Sequence, residues 1–445
     1  MDLDLSTLDA YLDDAGVDGY LVDADGEDAT QRYLSGFDAP DPYVTLYVPG
    51  AGDEGDDDTG DGTADGEADS GGGSATDSAE DSATDSARDD DGDSDGASGD
   101  GDGGTHLLVS ALEYGRAVKE SRADTVERRS AYDAQDLVEE YGQHEGSDRA
   151  VAAFCRAHGV ESVAMPERAP LGPADGLREQ GIDVTVDRDE TVKRVRAVKT
   201  EAEIDNIRAA QKANEKAMAR AEELLREATV DDGVLHHDGA ALTSERVRTA
   251  IEIELLRNEC ALDETIVACG ADAADPHDRG SGPLRADEPI IVDIFPRSKE
   301  TGYFADMTRT FCVGDPSDRA QEWYDLTLEA QAAALGAIEA GVLGSEVHDA
   351  VCDVYEDAGE PTLRGDDATE TGFIHTTGHG VGLDIHEYPR LSTQDNELEA
   401  GMVVTVEPGL YDPDVGGVRI EDLVVVREDG IENLTDYPKE FVIEE

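Results

Sequence analysis

The sequence has few cysteines and few aromatic residues for its length. Its 445 residues include five cysteines and one tryptophan, and aromatic residues make up 5% of the chain. The cysteines are odd in number and show no CxxC spacing, whereas disulfide frameworks and structural zinc sites need paired, closely spaced cysteines. The composition therefore argues against both and predicts a reducing, cytoplasmic environment.

Long apolar runs are also absent. The first residues, MDLDLSTLDAYLDDAG, have neither a basic start nor an apolar core, so they are not predicted to form a signal peptide. No stretch approaches the roughly 20 apolar residues that a membrane span needs. We expect no membrane association.

Basic residues are scarce: lysine and arginine number 35 against 106 acidic residues, which gives a formal net charge of −71. Residues 51–104 contribute −19, with 20 acids and the single base Arg88, and the rest of the chain still carries −52. Such a surface repels itself in dilute buffer, and salt near 1 M screens it because the Debye length falls to about 3 Å. We expect a protein of a salt-accumulating halophile and no nucleic acid partner, since phosphates would be repelled.

The chain is predicted to form two domains. Residues 1–190 alternate amphipathic helical patterns with short apolar strands, which is typical of an α/β domain. Within them, residues 51–104 have almost no large apolar side chains and are predicted to be a disordered acidic insertion, which we interpret as tolerated rather than functional.

Residues 195–445 are predicted to form the second domain. It begins with a helix capped by Thr200 and Glu203, and it twice shows two helices followed by a β-hairpin, which suggests two related halves around one site. The segment 231–243 is predicted to be a loop in which His236 and His237 are solvated rather than bound to metal.

Four acidic residues lie inside apolar, β-branched runs. PIIVDIF and GYFADMTRTFCV form one predicted hairpin and GMVVTVEPG and GGVRIEDLVVV the other, with an acid in the middle of each run: Asp293, Asp306, Glu407 and Glu421. Two carboxylates about 4 Å apart repel by roughly 4 kcal/mol at an effective dielectric near 20. We expect Arg309 and Arg419 to offset part of this repulsion and two divalent metal ions to offset more. Strand alternation places Glu421 and Asp422 on opposite faces without deciding which one points inward.

Histidines cluster just before the second hairpin. Three of the ten in the chain, His375, His379 and His386, lie in the glycine-rich stretch HTTGHGVGLDIHE, and His277 lies in a turn-rich loop before the first hairpin. Four carboxylates with one imidazole suit two ions such as Mn²⁺, Co²⁺ or Fe²⁺, and paired ions about 3.5–4 Å apart polarise a carbonyl or phosphoryl group.

These motifs resemble those of the pita-bread metallopeptidases, the family of Xaa-Pro aminopeptidase, prolidase and methionine aminopeptidase. ADMTRTF, HTTGHGVGLDIHE, TVEPGLY and GGVRIED carry the resemblance over residues 195–445, and YLSGF and VSALEYGRA resemble the creatinase/prolidase N-terminal domain over residues 1–190. The resemblance implies an α/β (α+β) fold in which a creatinase/prolidase-like α/β domain precedes a pseudo-twofold pita-bread domain.

The resemblance also implies roles for individual residues. One metal ion would be held by Asp293, Asp306 and Glu421, and the other by Asp306, His379, Glu407 and Glu421. The ions would be Mn²⁺ or Co²⁺, with Fe²⁺ or Zn²⁺ as alternatives. Glu407 would also shuttle a proton, and His277 and His386 would contact the substrate carbonyl and its tetrahedral intermediate. His375 and Arg419 would orient the metal ligands.

The implied function is hydrolysis of the Xaa-Pro bond at peptide N-termini by attack of a metal-bridging hydroxide, the reaction of an Xaa-Pro aminopeptidase. The substrate would be a peptide with proline at the second position. The alternatives are an Xaa-Pro dipeptidase (prolidase), a hydrolase of a non-peptide C–N bond, and a non-catalytic peptide-binding relative. The resemblance further implies a homodimer or larger assembly.

Overall fold

The computed structural model of the protein describes residues 3–50 and 103–443. The predicted disordered insertion at residues 51–104 lies outside the described residues except for its last two. Among the helices of the described part, none has the length and apolar content that crossing a membrane requires.

A six-stranded mixed sheet organises the N-terminal part. Its strands are β1 (Gly19–Ala24), β2 (Tyr43–Val48), β3 (Gly104–Val109), β4 (Thr125–Arg128), β5 (Ser162–Pro166) and β6 (Asp183–Asp187), in the order β4-β3-β2-β1-β5-β6. The pairs β1–β2 and β2–β3 are antiparallel, and the others are parallel. The helices of this part are α1 (Ser6–Ala15), α2 (Ala29–Ser35), α3 (Tyr114–Glu120), α4 (Ala134–Tyr141), α5 (Gln143–Ala157), α6 (Leu171–Glu179) and α7 (Thr191–Ala197).

The C-terminal part begins with α8 (Glu201–Arg226), where the predicted capping box of Thr200 and Glu203 is confirmed. Its other helices are α9 (Ser244–Arg257), α10 (Asp318–Ala337) and α11 (Gly344–Asp357). Its strands are β7 (Thr229–Asp231), β8 (Val234–His237), β9 (Ala240–Ala241), β10 (Cys260–Ala261), β11 (Thr265–Cys269), β12 (Ile290–Ile294), β13 (Arg297–Ser298), β14 (Met307–Val313), β15 (Gly378–Gly380), β16 (Glu387–Leu391), β17 (Val403–Val406), β18 (Gly409–Asp412), β19 (Gly416–Arg419), β20 (Asp422–Arg427), β21 (Gly430–Asn433) and β22 (Val442–Ile443).

These elements form two similar halves. In the first, α8 and α9 pack together beside the sheet β11-β12-β14-β22, and in the second, α10 and α11 pack together beside the sheet β16-β15-β17-β20-β21. Each half has its own buried apolar cluster, because the β-branched strands turn one face toward the paired helices. A third apolar cluster joins the N-terminal sheet to the C-terminal part and includes Tyr20, Ile204 and Val403.

Two local predictions are wrong. Residues 231–243 are not only loop, because β8 pairs with β7 and β9 there, and the ring of His237 lies 3.0 Å from the carboxylate of Glu227. Only Asp293 lies inside a strand. Asp306 directly precedes β14, whereas Glu407 follows β17 and Glu421 precedes β20, and the small hairpin β18–β19 lies between these two strands. The boundary near residue 195 stays a prediction.

Candidate metal centre

Acidic side chains and one histidine converge where the two halves meet. Ligand atoms of Asp306, His379 and Glu421 lie within 4.8 Å of one another, and all three side chains are buried. The Nε2 atom of His379 is 3.8 Å from Oδ2 of Asp306 and 3.4 Å from Oε1 of Glu407. The Oδ1 atom of Asp293 is buried and has no hydrogen-bond partner among the residues that the structure describes.

Strand register brings the acids of the two halves together. In the β12–β14 pair, Asp293 lies opposite Thr308. The hydroxyl of Thr308 donates a hydrogen bond of 2.8 Å to Oε2 of Glu421, and the backbone N–H of Glu421 donates to the carbonyl of Thr308. Thr308 therefore links the strands of the first half to an acid of the second.

Glycines permit the position of His379. A side chain at Gly378 would place its Cβ 2.0 Å from the carbonyl oxygen of Thr405, and one at Gly380 would lie 2.3 Å from that of Tyr388. Only glycine allows neighbouring strands to approach so closely on both sides of the histidine. The Nδ1 atom of His379 lies 3.1 Å from the carbonyl oxygen of Gly380, so Nδ1 carries the proton and Nε2 is left to face the carboxylates.

Burial and mutual repulsion perturb the ionisation of these groups. Burial, together with the charges of neighbouring acids, raises the pKa of Asp306 and that of Glu421 well above the ordinary values of these carboxyl groups. Burial also raises the pKa of Glu407 to about 7, although the charge of Arg419 acts in the opposite direction. Burial lowers the pKa of His379 to about 3, which keeps its imidazole neutral.

A chain of hydrogen bonds supports Asp293 from behind. The guanidinium of Arg419 donates to Oδ2 of Asp293 at 2.8 Å and to the hydroxyl of Tyr411 at 2.9 Å. That hydroxyl lies 2.9 Å from Nε2 of His375, whose Nδ1 donates to the carbonyl oxygen of Thr376. The predicted orienting role of His375 and Arg419 remains a proposal. Tyr411 links these two residues. It was not predicted as a site residue, because the local sequence gives no sign that its hydroxyl is hydrogen-bonded.

The structure decides which of two adjacent acids faces the site. Glu421 points toward Thr308, whereas Asp422 points to the other side, where Arg309 lies 2.9 Å away and Lys439 2.6 Å away. Arg309 also donates to several backbone carbonyls, including that of Glu421. The expectation that Arg309 offsets the four carboxylates is therefore wrong. It anchors the backbone of Glu421 instead.

Of the two predicted substrate histidines, His386 lies at the edge of this group, and His277 is exposed in the loop whose Pro276 carbonyl accepts a hydrogen bond of 3.3 Å from Arg419. The ring of His386 is exposed and stands 4.4 Å from that of His379, centroid to centroid. Burial, followed by the charge of Arg419, lowers the pKa of His375 to about 3. Partial burial of the imidazole, followed by the charge of Arg390, lowers the pKa of His386, and the charge of His277 adds a smaller effect to both. His386 lines a cleft of about 830 Å³ between the N-terminal and C-terminal parts, together with Phe304, Ile385 and the segment 166–170.

The side chains present fit divalent cations. Among the described residues, the guanidinium of Arg419 is the one cation within salt-bridge distance of these acids, and Asp293 is the one acid among them that it reaches. The orphaned oxygen of Asp293 and the raised pKa of Asp306 and Glu421 indicate missing positive charge. Carboxylates with one imidazole are the donors that Mn²⁺, Co²⁺ and Fe²⁺ accept.

Comparisons with known proteins agree with this geometry. The profile of "Metallopeptidase family M24" matches residues 205–428. An uncharacterized peptidase of Staphylococcus haemolyticus is 39% identical over 284 residues, which span 63% of this chain and 72% of that protein.

Solved structures extend the similarity to nearly the whole chain. An Xaa-Pro dipeptidase from Bacillus anthracis superposes with a TM-score of 0.72 at 23% identity, covering 98% of both chains. An X-Pro aminopeptidase from Thermotoga maritima gives a TM-score of 0.69 at 23% identity, covering 96% of this chain and 98% of the other. The predicted α/β N-terminal part followed by a pita-bread part is thereby confirmed.

The chain belongs to metallopeptidase family M24. It is a metallopeptidase, and the alternative of a non-catalytic binding protein is set aside. Membership in this family implies the use of divalent metal and a dipeptide or peptide substrate.

Proposed function

We propose that this chain is an Xaa-Pro aminopeptidase that hydrolyses the bond before proline at peptide N-termini with the help of two divalent ions. The observation that carries the proposal is the convergence of Asp306, His379, Glu407 and Glu421 beside the exposed His386. We assign Asp293 to the same set, because its buried Oδ1 atom finds no hydrogen-bond partner in the described part of the chain.

The proposed ion-binding residues form two overlapping groups that share Asp306 and Glu421. Asp293, Asp306 and Glu421 would hold one ion, and Asp306, His379, Glu407 and Glu421 the other, with Mn²⁺ or Co²⁺ as the expected metal. When bound, the ions would supply the positive charge that offsets the carboxylates, lowers the pKa of water and polarises the scissile carbonyl.

The remaining chemistry is assigned to three side chains. Glu407, whose Oε1 accepts a hydrogen bond of 3.1 Å from the hydroxyl of Thr405, takes a proton from the attacking water. It returns that proton to the proline nitrogen as the C–N bond breaks. His277 and His386 donate hydrogen bonds to the substrate carbonyl and stabilise the negative charge on its oxygen during attack.

His386 lines the cleft of about 830 Å³, whereas none of the five proposed metal ligands does. The volume of this cleft is compatible with a peptide longer than two residues. The length of the peptides that are cleaved decides between an aminopeptidase and a dipeptidase.

A panel of peptides tests this proposal. Xaa-Pro dipeptides, tripeptides and longer peptides would be incubated with Mn²⁺-loaded protein in about 0.1 M and about 1 M salt, which also tests the predicted halophilic behaviour. We expect cleavage before proline, faster for peptides of three or more residues and abolished by a chelator. Cleavage of dipeptides alone would identify a dipeptidase, and no cleavage of any member would overturn the assignment.

Replacement of His386 should impair turnover without loss of metal. His386→Ala is expected to lower kcat by roughly 100-fold, because one hydrogen-bond donor to the developing oxyanion is lost. KM should change by less than about threefold, and the bound metal should stay unchanged, because His386 is not among the proposed ligands.

His237→Ala is the control, since this histidine lies in β8 and its ring contacts the carboxylate of Glu227 at the end of α8. We expect it to keep the wild-type kcat. An equal loss of activity in both variants, or loss of metal from His386→Ala, would contradict the role given to His386.

A further inference from the structure

A buried group of charges lies directly behind His386 and takes no part in the chemistry described above. Its centre is the carboxylate of Glu387, whose side chain is 3% exposed. Arg196 donates to this carboxylate at 2.5 Å and Lys199 at 3.0 Å. An acid adjacent in sequence to a proposed substrate-binding histidine is thus held by two cations.

The same contacts hold the chain on the other side of His386. The carboxylate of Glu387 accepts a hydrogen bond of 3.1 Å from the backbone N–H of Asp384. Arg196 donates at 2.9 Å to the side chain of Asp384. A side chain at Gly382 would place its Cβ 2.5 Å from the carboxylate of Glu387, so the chain closes tightly around this acid. Both ends of the segment 384–387 are therefore tied to one guanidinium.

The two cations come from the connection between the two parts of the protein. Arg196 lies at the end of α7 and also donates to the hydroxyl of Thr30 in α2, at 3.3 Å. Lys199 precedes α8, and its backbone N–H donates to the carbonyl of Gly401, just before β17. The N-terminal part, the connection and the segment bearing His386 thus meet at one point.

The group is held together by charge. Burial alone would raise the pKa of Glu387, but the charges of Arg196 and Lys199 outweigh this effect and lower it to about 2. Glu387 therefore stays ionised, and removing one partner leaves a buried charge with fewer contacts.

We infer that Arg196 and Lys199 are positioning residues for His386. By holding the carboxylates of Glu387 and Asp384, they fix the short segment that presents the imidazole to the cleft. This inference rests on the proposed function for the role of His386, and it makes activity depend on the connection between the two parts of the chain. A catalytic group held about 1 Å from its working position loses much of its effect.

Three variants of the full-length, metal-loaded protein test the inference. Glu387→Gln keeps the size of the side chain and removes its charge, Arg196→Met removes the guanidinium, and Arg196→Lys keeps a charge without the fork of donors. For the first two we expect kcat to fall about 10- to 100-fold, KM to change by less than about threefold and bound metal to stay unchanged. The kcat of Arg196→Lys should be about 3- to 10-fold higher than that of Arg196→Met, because lysine restores one ion pair as a point charge.

Hydrogen exchange over residues 381–390 gives a readout that does not depend on activity. In Glu387→Gln the N–H of Asp384 keeps only a weaker acceptor, so exchange in this segment should become at least about tenfold faster. Arg319→Met is the control, because it removes the partner of another buried acid, Glu360, whose side chain is 4% exposed. It should lower stability and leave both kcat and exchange at 381–390 unchanged.

The outcomes separate the inference from the proposed function. If the wild type cleaves Xaa-Pro peptides but Arg196→Met keeps a kcat within about twofold of Arg319→Met, the positioning role is wrong. It is also wrong if exchange at 381–390 does not rise in Glu387→Gln. If the wild type cleaves none of the peptides while exchange rises as expected, the contacts hold the segment as inferred and the proposed function fails.

Discussion

His379→Ala is expected to abolish turnover while leaving the protein folded. The Nε2 atom of this histidine faces Asp306 at 3.8 Å and Glu407 at 3.4 Å, and His379 is the one nitrogen ligand proposed for the centre. Without it, one of the two ions should be lost. Because an ion contributes several kcal/mol to the stabilisation of the transition state, kcat should fall at least about 10³-fold. Metal analysis after gel filtration should find about one ion per chain in place of two.

A burial-matched histidine provides the control for this variant. His348 is 5% exposed and His379 is 6% exposed, but His348 contacts the hydroxyl of Thr377 and the thiol of Cys352 rather than carboxylates. His348→Ala should cost stability similar to that of His379→Ala and keep both ions. Full metal content in His379→Ala would remove this residue from the ligand set.

Local sequence patterns indicate the candidate site residues but do not predict how their side chains face one another. Apolar β-branched runs, the capping box at Thr200 and the glycines around His379 are signals within a few residues, and they predict helices, strands and the position of the histidine. The direction of Glu421 is different, because it depends on Thr308, which lies more than a hundred residues earlier in the chain.

Contacts between residues far apart in sequence also explain why some predictions were wrong. Arg309 was expected to face the acids because it is near Asp306 in sequence, but Asp422 and backbone carbonyls far along the chain bind it on the opposite side of the strand. The partners of Glu387 lie almost two hundred residues before it, so no periodicity reveals them. Segment 231–243 has a loop-like composition, and its strands form because they pair with each other at a tight turn.

Removal of metal should reverse the usual dependence of stability on pH. In the metal-free protein, burial and repulsion raise the pKa of Asp306, Glu407 and Glu421, so each group binds protons more tightly when folded than when unfolded. The free energy of unfolding therefore falls as pH rises from about 4 toward the folded-state pKa, which is about 7 for Glu407. For Glu407 alone, the loss above pH 7 is about 3 kcal/mol.

The free energy of unfolding of chelator-treated protein should accordingly rise as the pH is lowered from about 8 to about 5. Metal-loaded protein should become less stable over the same range, because bound ions favour ionised ligands and acid releases the ions. Denaturant unfolding in about 1 M salt measures both curves while screening the general repulsion of the acidic surface. Glu407→Gln removes one titrating group, so its metal-free form should show a shallower pH dependence than the metal-free wild type. If the stability of the metal-free and of the metal-loaded protein instead changed in the same direction with pH, the five residues would not form the proposed cation site. The opposite pH dependence is expected only because the charge of that site is unbalanced when the ions are removed.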